Sequence, residues 1–189
     1  MNIVPLVCIK NTILLDGKEG NVVLLADISK RLEKDSLLYV LDLDGIEHYN
    51  LNLEMYQRLA EHCILWIDNG PRRIDDVMDT IMAGATNLTV REDLWPALDM
   101  PDIQELTDDE VYLEQTKQYQ EQKTVQHVYS GDIGVILFDE EAMYGFVPNG
   151  RTASQRIYLY TSSLEKVQLW TERGVFGIII DLNKKQGAF

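Results

Sequence analysis

A chain of 189 residues, 46% hydrophobic and without a Pro-, Gly- or Ser-rich tract, is long enough to bury one sizeable core and is not composed like a disordered segment. Its 31 acidic and 17 basic side chains give a net charge of -14, which works against binding a phosphate backbone, so nucleic acid is not an expected partner. No window approaches 18 uncharged apolar residues and no basic stretch precedes a cleavable apolar one, so no membrane segment is expected and the expected compartment is the cytoplasm.

Residues 3–9 are apolar and short enough for a buried strand. Residues 12–15 and 21–26, separated by the turn Asp16-Gly17-Lys18-Glu19-Gly20, read as a β-hairpin. A helix is expected over 27–34, a strand over 37–43, a helix from about 51 to 61 and a strand over 63–67. A further helix from about 74 to 82 leads to a strand at 88–90. Residues 91–107 hold two prolines, several acids and scattered apolar residues, and read as the start of an irregular insertion that runs to about 127. Within it, 108–123 is polar on nearly every side, with Val111, Tyr112, Leu113 and Tyr119 its only large apolar residues, the pattern of an exposed or interface helix. Residues 133–138 form the next core strand, and a strand at 157–160, a helix and a last apolar run close the chain.

The last segments repeat earlier ones. Ile74, Val77, Gly84, Ala85, Leu88, Thr89 and Val90 match Leu164, Val167, Gly174, Val175, Ile178, Ile179 and Ile180 at a constant offset of 90 residues without a gap. In each copy an apolar run leads into a helix that stops at a glycine, and a second apolar run follows, which is one βαβ step written twice. Parallel strands need such crossovers, so the expected fold is one α/β domain over 1–189: a shortened or distorted TIM-type (β/α) barrel with an N-terminal hairpin, of six or seven parallel strands.

Chemistry in such a barrel gathers at the C-terminal ends of the strands. Asp42 and Asp44 alternate with Leu41 and Leu43, so both acids fall on one strand face, which suits acid/base work or a cation such as Mg²⁺. Alternatively they hydrogen-bond backbone N–H groups and Lys10 at the strand end. Asp68, Asn69 and Arg72 end the next strand, where Arg72 either holds an anion bidentately or pairs with Asp68 or Asp44. His48, His62 and His127 lack metal-ligand spacing, and no metal or cofactor is expected. Cys8 and Cys63 fall in different strands and read as free thiols. The apolar loop 143–148 reads as a lid or an association surface.

Pro5-Leu6-Val7-Cys8-Ile9-Lys10 with its following hairpin, Tyr39-Val40-Leu41-Asp42-Leu43-Asp44-Gly45, and Gly70-Pro71-Arg72 before a helix resemble the first three strands of the HisA/HisF barrels of histidine biosynthesis. Ser162-Ser163-Leu164-Glu165 and residues 174–189 resemble their seventh and eighth units, and Val135-Ile136-Leu137-Phe138-Asp139 looks like the fifth strand with its terminal acid. The resemblance implies a general acid and a general base at the ends of strands one and five, where Cys8 and Asp139 stand. With Asp44 they are the catalytic candidates, and Lys10, Asp42, Asp68, Asn69 and Arg72 are the candidates for substrate binding. The family's phosphate-clasping turns differ here: Arg91-Glu92, Tyr160-Thr161 and Asp181 replace glycine positions. The implied function is that of a divergent isomerase-type enzyme acting on a sugar-like small molecule outside the histidine pathway itself. The alternative is a binding or scaffold protein that kept the barrel and lost the chemistry. A barrel short of strands leaves an open edge, from which a homodimer is expected.

Overall fold

The computed structural model describes residues 1–33, 35–108, 110–114, 134–138, 140 and 156–185. In chain order these form β1 (Asn2–Lys10), β2 (Ile13–Leu15), α1 (Leu25–Arg31), β3 (Leu37–Asp42), α2 (Leu43–His48), α3 (Leu53–Ala60), β4 (Ile64–Asp68), α4 (Ile74–Met82), β5 (Ala85–Arg91), α5 (Met100–Leu106), β6 (Glu110–Glu114), β7 (Gly134–Leu137) and β8 (Ile157–Tyr160). A 3-10 turn at Leu164–Lys166 then runs into α6 (Val167–Glu172), followed by β9 (Gly177–Asp181) and α7 (Leu182–Lys185). Strands β1, β3, β4, β5, β6, β7, β8 and β9 pair in that order, each parallel to the next, and β9 returns to β1 with Asn2 opposite Gly177 and Leu6 opposite Asp181. The result is a closed eight-stranded parallel barrel of the TIM type.

The eighth strand is where the sequence reading falls short. Residues 110–114 are a barrel strand, not part of an exposed helix: Val111, Tyr112 and Leu113 are buried, and β6 pairs with β5 through Leu88 opposite Val111 and with β7 through Leu113 opposite Val135. A five-residue strand with acids at both ends looks polar in a helical window, yet its alternate positions face two different apolar layers. The segment expected to be irregular also contains α5, whose Met100 and Ile103 are buried with Trp95 against β5 and β6. Counting β6 makes the strand ending in Phe138 the sixth of the barrel, not the fifth. Asp139, His127 and the 143–148 loop lie outside the described residues. The hairpin is also rearranged: its second strand is β2, antiparallel to β1 through the left-handed Asn11-Thr12 turn, and the expected 21–26 arm is reduced to a single bridge between Leu15 and Val22.

Alternation along the parallel strands sorts the core into two layers. Inward-facing Leu6, Cys8, Tyr39, Leu41, Trp66, Tyr112, Ile136, Tyr158 and Ile179 fill the barrel. Its centre is aromatic, with Trp66 5.1 Å from Tyr39, 4.0 Å from Tyr112 and 4.7 Å from Tyr158 between ring centroids. Outward-facing positions such as Val7, Ile9, Val40, Leu65 and Ile67 pack under the helices with Ile28, Tyr56 and Leu59.

The two repeat copies, β4-α4-β5 and β8-α6-β9, stand four barrel strands apart, so each occupies the same place in one half of the ring. Both helices end in a left-handed glycine, Gly84 at φ 107° and Gly174 at φ 83°, a conformation that other residues adopt only with strain. The halves are not superposable in register. Leu88 lies opposite Ile67, while its counterpart Ile178 lies opposite Leu159, two positions away from strict equivalence.

Candidate functional site at the barrel mouth

Six consecutive barrel strands end in the same pattern, an inward core residue followed two positions later by a side chain at the mouth: Trp66 and Asp68, Thr89 and Arg91, Tyr112 and Glu114, Ile136 and Phe138, Tyr158 and Tyr160, Ile179 and Asp181. Period-2 alternation puts each second residue on the inner face one layer above the aromatic core.

Asp68 is fully buried and accepts from Arg91 Nε at 2.9 Å and Arg91 Nη2 at 2.6 Å, a bidentate pair, and from the Tyr39 hydroxyl at 2.8 Å. Thr89 lies between them, accepting from Trp66 Nε1 at 3.0 Å and lying 3.1 Å from the Tyr39 hydroxyl. Arg91 also faces Glu114, with Nη1 3.6 Å from Oε2. Burial works to lower the guanidinium's pKa, but Asp68 and Glu114 outweigh it and hold Arg91 protonated. For Glu114 the balance runs the other way. Burial pushes its carboxyl up from 4.5 to about 7, Arg91 and Lys18 pull down, and Asp68 and Asp93 push up. The mouth therefore holds a carboxyl that exchanges its proton near neutral pH.

The other flank is aromatic. Phe138 and Tyr160 stack with centroids 5.6 Å apart, and Phe138 lies 6.0 Å from Tyr39. The Tyr160 hydroxyl donates to Asp181 Oδ1 at 3.1 Å, and the Lys18 backbone N–H donates to the same oxygen at 3.1 Å. Gly17 is required beside it: a Cβ there would stand 2.6 Å from Asp181 Cγ, so only glycine lets the 16–20 turn close over the end of β9. The turn thereby carries the Lys18 ammonium over the Tyr160 ring at 4.8 Å and the Phe138 ring at 5.3 Å.

The sequence-predicted residues divide. Asp68 stands in the mouth as expected. Cys8 shares its end of the barrel but lies inside the core, its Sγ 3.8 Å from the Ile9 carbonyl. Burial first and then Asp42 raise its pKa to about 12, so at neutral pH it is a thiol, neither base nor thiolate nucleophile. Asp42 and Asp44 do not share a strand face, because the chain turns into α2 at Leu43. Asp42 points outward under α3, where it accepts from the backbone N–H groups of Asp44, Gly45 and Asn52 and from the Asn52 amide and Tyr56 hydroxyl. Asp44 accepts from the backbone N–H groups of Asn11 and Thr12 at 2.7 Å each; burial opposes its ionisation, and those two bonds and Asn52 outweigh it and lower its pKa. Both acids hold backbone N–H groups at the strand end, as the alternative left open by the sequence has it, with the Asn52 amide and not Lys10 as a further donor. Asn69 binds Thr80 beneath α4, and Arg72 stacks on Tyr49 and donates to the Ile46 carbonyl, tying the β3 and β4 units together outside the mouth. Lys10 is exposed beside the Asn11-Thr12 turn. Among the described residues, no group of His, Cys, Asp and Glu has the geometry of a metal site. No helix of the described residues is long and apolar enough to cross a membrane.

Sequence reasoning missed Glu114, and it noted Arg91 and Asp181 only as departures from glycine. The signal was the alternation itself: Glu110-Val111-Tyr112-Leu113-Glu114 has the same inward aromatic and terminal charge as Trp66-Ile67-Asp68.

Fold and mouth together define the chain as a TIM-type barrel protein with a polar, partly aromatic site at the C-terminal ends of its strands. No protein-family model matches the chain, and no curated protein matches it in sequence.

Proposed function

We propose that this barrel is a divergent relative of the HisA/HisF proteins whose mouth carries out isomerase-type acid/base chemistry on a sugar-like small molecule, and that the catalytic acid of the fifth strand is Glu114. The observation that carries the reading is Glu114 itself, a carboxyl with a pKa near 7 facing a locked guanidinium at the end of the fifth barrel strand. A group titrating near the working pH is present in both forms and is the efficient choice for moving a proton on and off carbon or oxygen. Arg91, held by Asp68, supplies fixed positive charge where an oxyanion would develop. Asp181 and the Tyr160 hydroxyl supply a second proton-handling pair on the other flank. Phe138 and Tyr160 give one apolar wall for a ring or carbon chain.

The histidine-pathway reactions themselves are not the proposed activity. Asp181 and Thr161 stand where glycine turns would clasp phosphates, with the Thr161 hydroxyl bonded to Glu140, and Cys8 stands in place of one catalytic acid. The chain should not restore growth without histidine to a strain lacking either pathway barrel. The direct test is proton exchange: in D₂O, the purified protein should wash deuterium into the carbon next to the carbonyl of one member of a panel of aldoses, ketoses and their acid derivatives, read by NMR. Glu114→Gln should lower that rate by about 10²- to 10⁴-fold. Exchange that survives the substitution would assign the chemistry elsewhere, and a full panel without exchange would favour the binding-protein alternative, to which the framework roles of Asp42 and Asp44 also point.

A further inference from the structure

The charged groups of the mouth are not evenly satisfied. Asp68 has Arg91 and Tyr39, Glu114 has Arg91, and Asp181 has Tyr160, the Lys18 backbone N–H and the Lys184 ammonium at 3.6 Å. Lys18 differs. Among the described residues its ammonium has no carboxylate within ion-pair distance and rests over two ring faces instead. In a chain with 31 acidic residues, a lysine that has no counter-ion among the described residues, at a mouth where Asp68, Glu114 and Asp181 stand, is placed there by its loop. The loop is well anchored. Asp16 accepts from the Asn21 backbone N–H at 2.8 Å and from the Asn183 amide at 3.2 Å and pairs with Arg31 at 3.3 Å, Asn183 N–H donates to the Asp16 carbonyl at 3.0 Å, and Gly17 abuts Asp181. The Lys18 side chain is exposed and can turn, from this fixed base, towards whatever enters.

We propose that Lys18 is the substrate-recognition residue of the mouth, and that the small molecule bound there carries an anionic group, a phosphate ester or a carboxylate, which takes the Lys18 ammonium from the Phe138 and Tyr160 rings. This recognition uses one side-chain cation and no glycine turn, and so needs only one anionic group. It rests on the reading of the mouth as an acid/base site and adds a link to it. Lys18 and Arg91 both lie over the Phe138 ring, at 5.3 and 5.5 Å, and Arg91 Nη1 is 3.6 Å from Glu114, so beyond burial the groups acting on the Glu114 proton are Arg91 from β5, Asp68 from β4, Asp93 from the turn after β5 and Lys18 from the β2–α1 loop. Of these only Lys18 is released by an anion. Neutralising it and adding negative charge nearby favours the protonated carboxyl, so the ligand's arrival loads Glu114 as the acid.

The test uses the full chain with inorganic phosphate and with acetate, and glycerol as the neutral control, by calorimetric titration at neutral pH. The Glu114 carboxyl is followed by ¹³C NMR in the same samples. At least one anion should bind saturably and glycerol should not, and the tighter of the two anions identifies the group. Lys18→Met should weaken that binding on the order of tenfold, Lys18→Arg should retain it, and the Glu114 midpoint should rise with anion in the wild type but not in Lys18→Met. Equal anion affinity in wild type and Lys18→Met, or no saturable binding of either anion to folded wild type, overturns the proposal. Two results separate the readings: Glu114→Gln should still bind the anion, and Lys18-dependent anion binding in a wild type that shows no proton exchange on any of the panel keeps this inference and removes the catalytic one.

Discussion

Glu114 carries a sign that can be measured without a substrate. Its carboxyl titrates near 4.5 in an unstructured chain and near 7 in the barrel, so the unfolded state ionises first as pH rises. The stability this group contributes is complete below about pH 4.5 and is lost as pH rises through about 7, a loss on the order of 3 kcal/mol at about 1.4 kcal/mol per unit. Urea denaturation at pH 5 and pH 7.5 should therefore show wild type falling relative to Glu114→Gln over that window; parallel behaviour of the two proteins would mean that Glu114 titrates ordinarily. The neighbouring pair obeys a different rule. Arg91→Met strands the fully buried Asp68 with Tyr39 as its partner and should cost about 3–5 kcal/mol. Adding Asp68→Asn should recover part of that loss, and a double variant as unstable as the two single losses combined would contradict the coupling.

At the scale of elements, α2 shows how a strand end becomes a scaffold. Asp42 caps the helix from its N-cap position and holds the 44–52 turn through Asn52, so Asp42→Ala leaves several buried N–H donors without an acceptor. A loss of about 2–4 kcal/mol in thermal or urea unfolding is expected, with phosphate or acetate binding at the mouth unchanged; weaker anion binding in a folded Asp42→Ala would return Asp42 to the site. The same element explains what the sequence concealed. Strands β1, β3, β4 and β9 and helix α4 were legible because runs of apolar residues or a 3.6 period outlast their ends. Strand β6 was not, because five residues with Glu at both ends carry too little period to outweigh their charge. Without it the strand before Asp139 counts as the fifth, whereas the fifth barrel strand ends at Glu114. Asp42 and Asp44 misled for a related reason: period 2 holds only while the chain stays extended, and Asp42 is itself the residue that ends the extension.

The whole molecule closes without help. The expectation of a second copy rested on a barrel short of strands, and β6 supplies the missing one, so that reason for a homodimer lapses. Closure has its own consequence. The seam between β1 and β9 is a ladder in which Asn2, Ile3, Val4, Pro5 and Leu6 meet Gly177, Ile178, Ile179, Ile180 and Asp181, residues from opposite ends of the chain. Contacts so remote in sequence are the last to repay the entropy of forming them, so the ring is expected to zip shut late in folding and β1 and β9 to share one opening event. Amides of β1 at the seam and of β9 should then exchange with solvent at a common opening free energy, and a chain cut after residue 176 should lose protection in β1 while β4 and β5 keep theirs longer. Protection of β1 untouched by that cut would mean that β3 alone holds it, and that the ring's two termini lead separate lives.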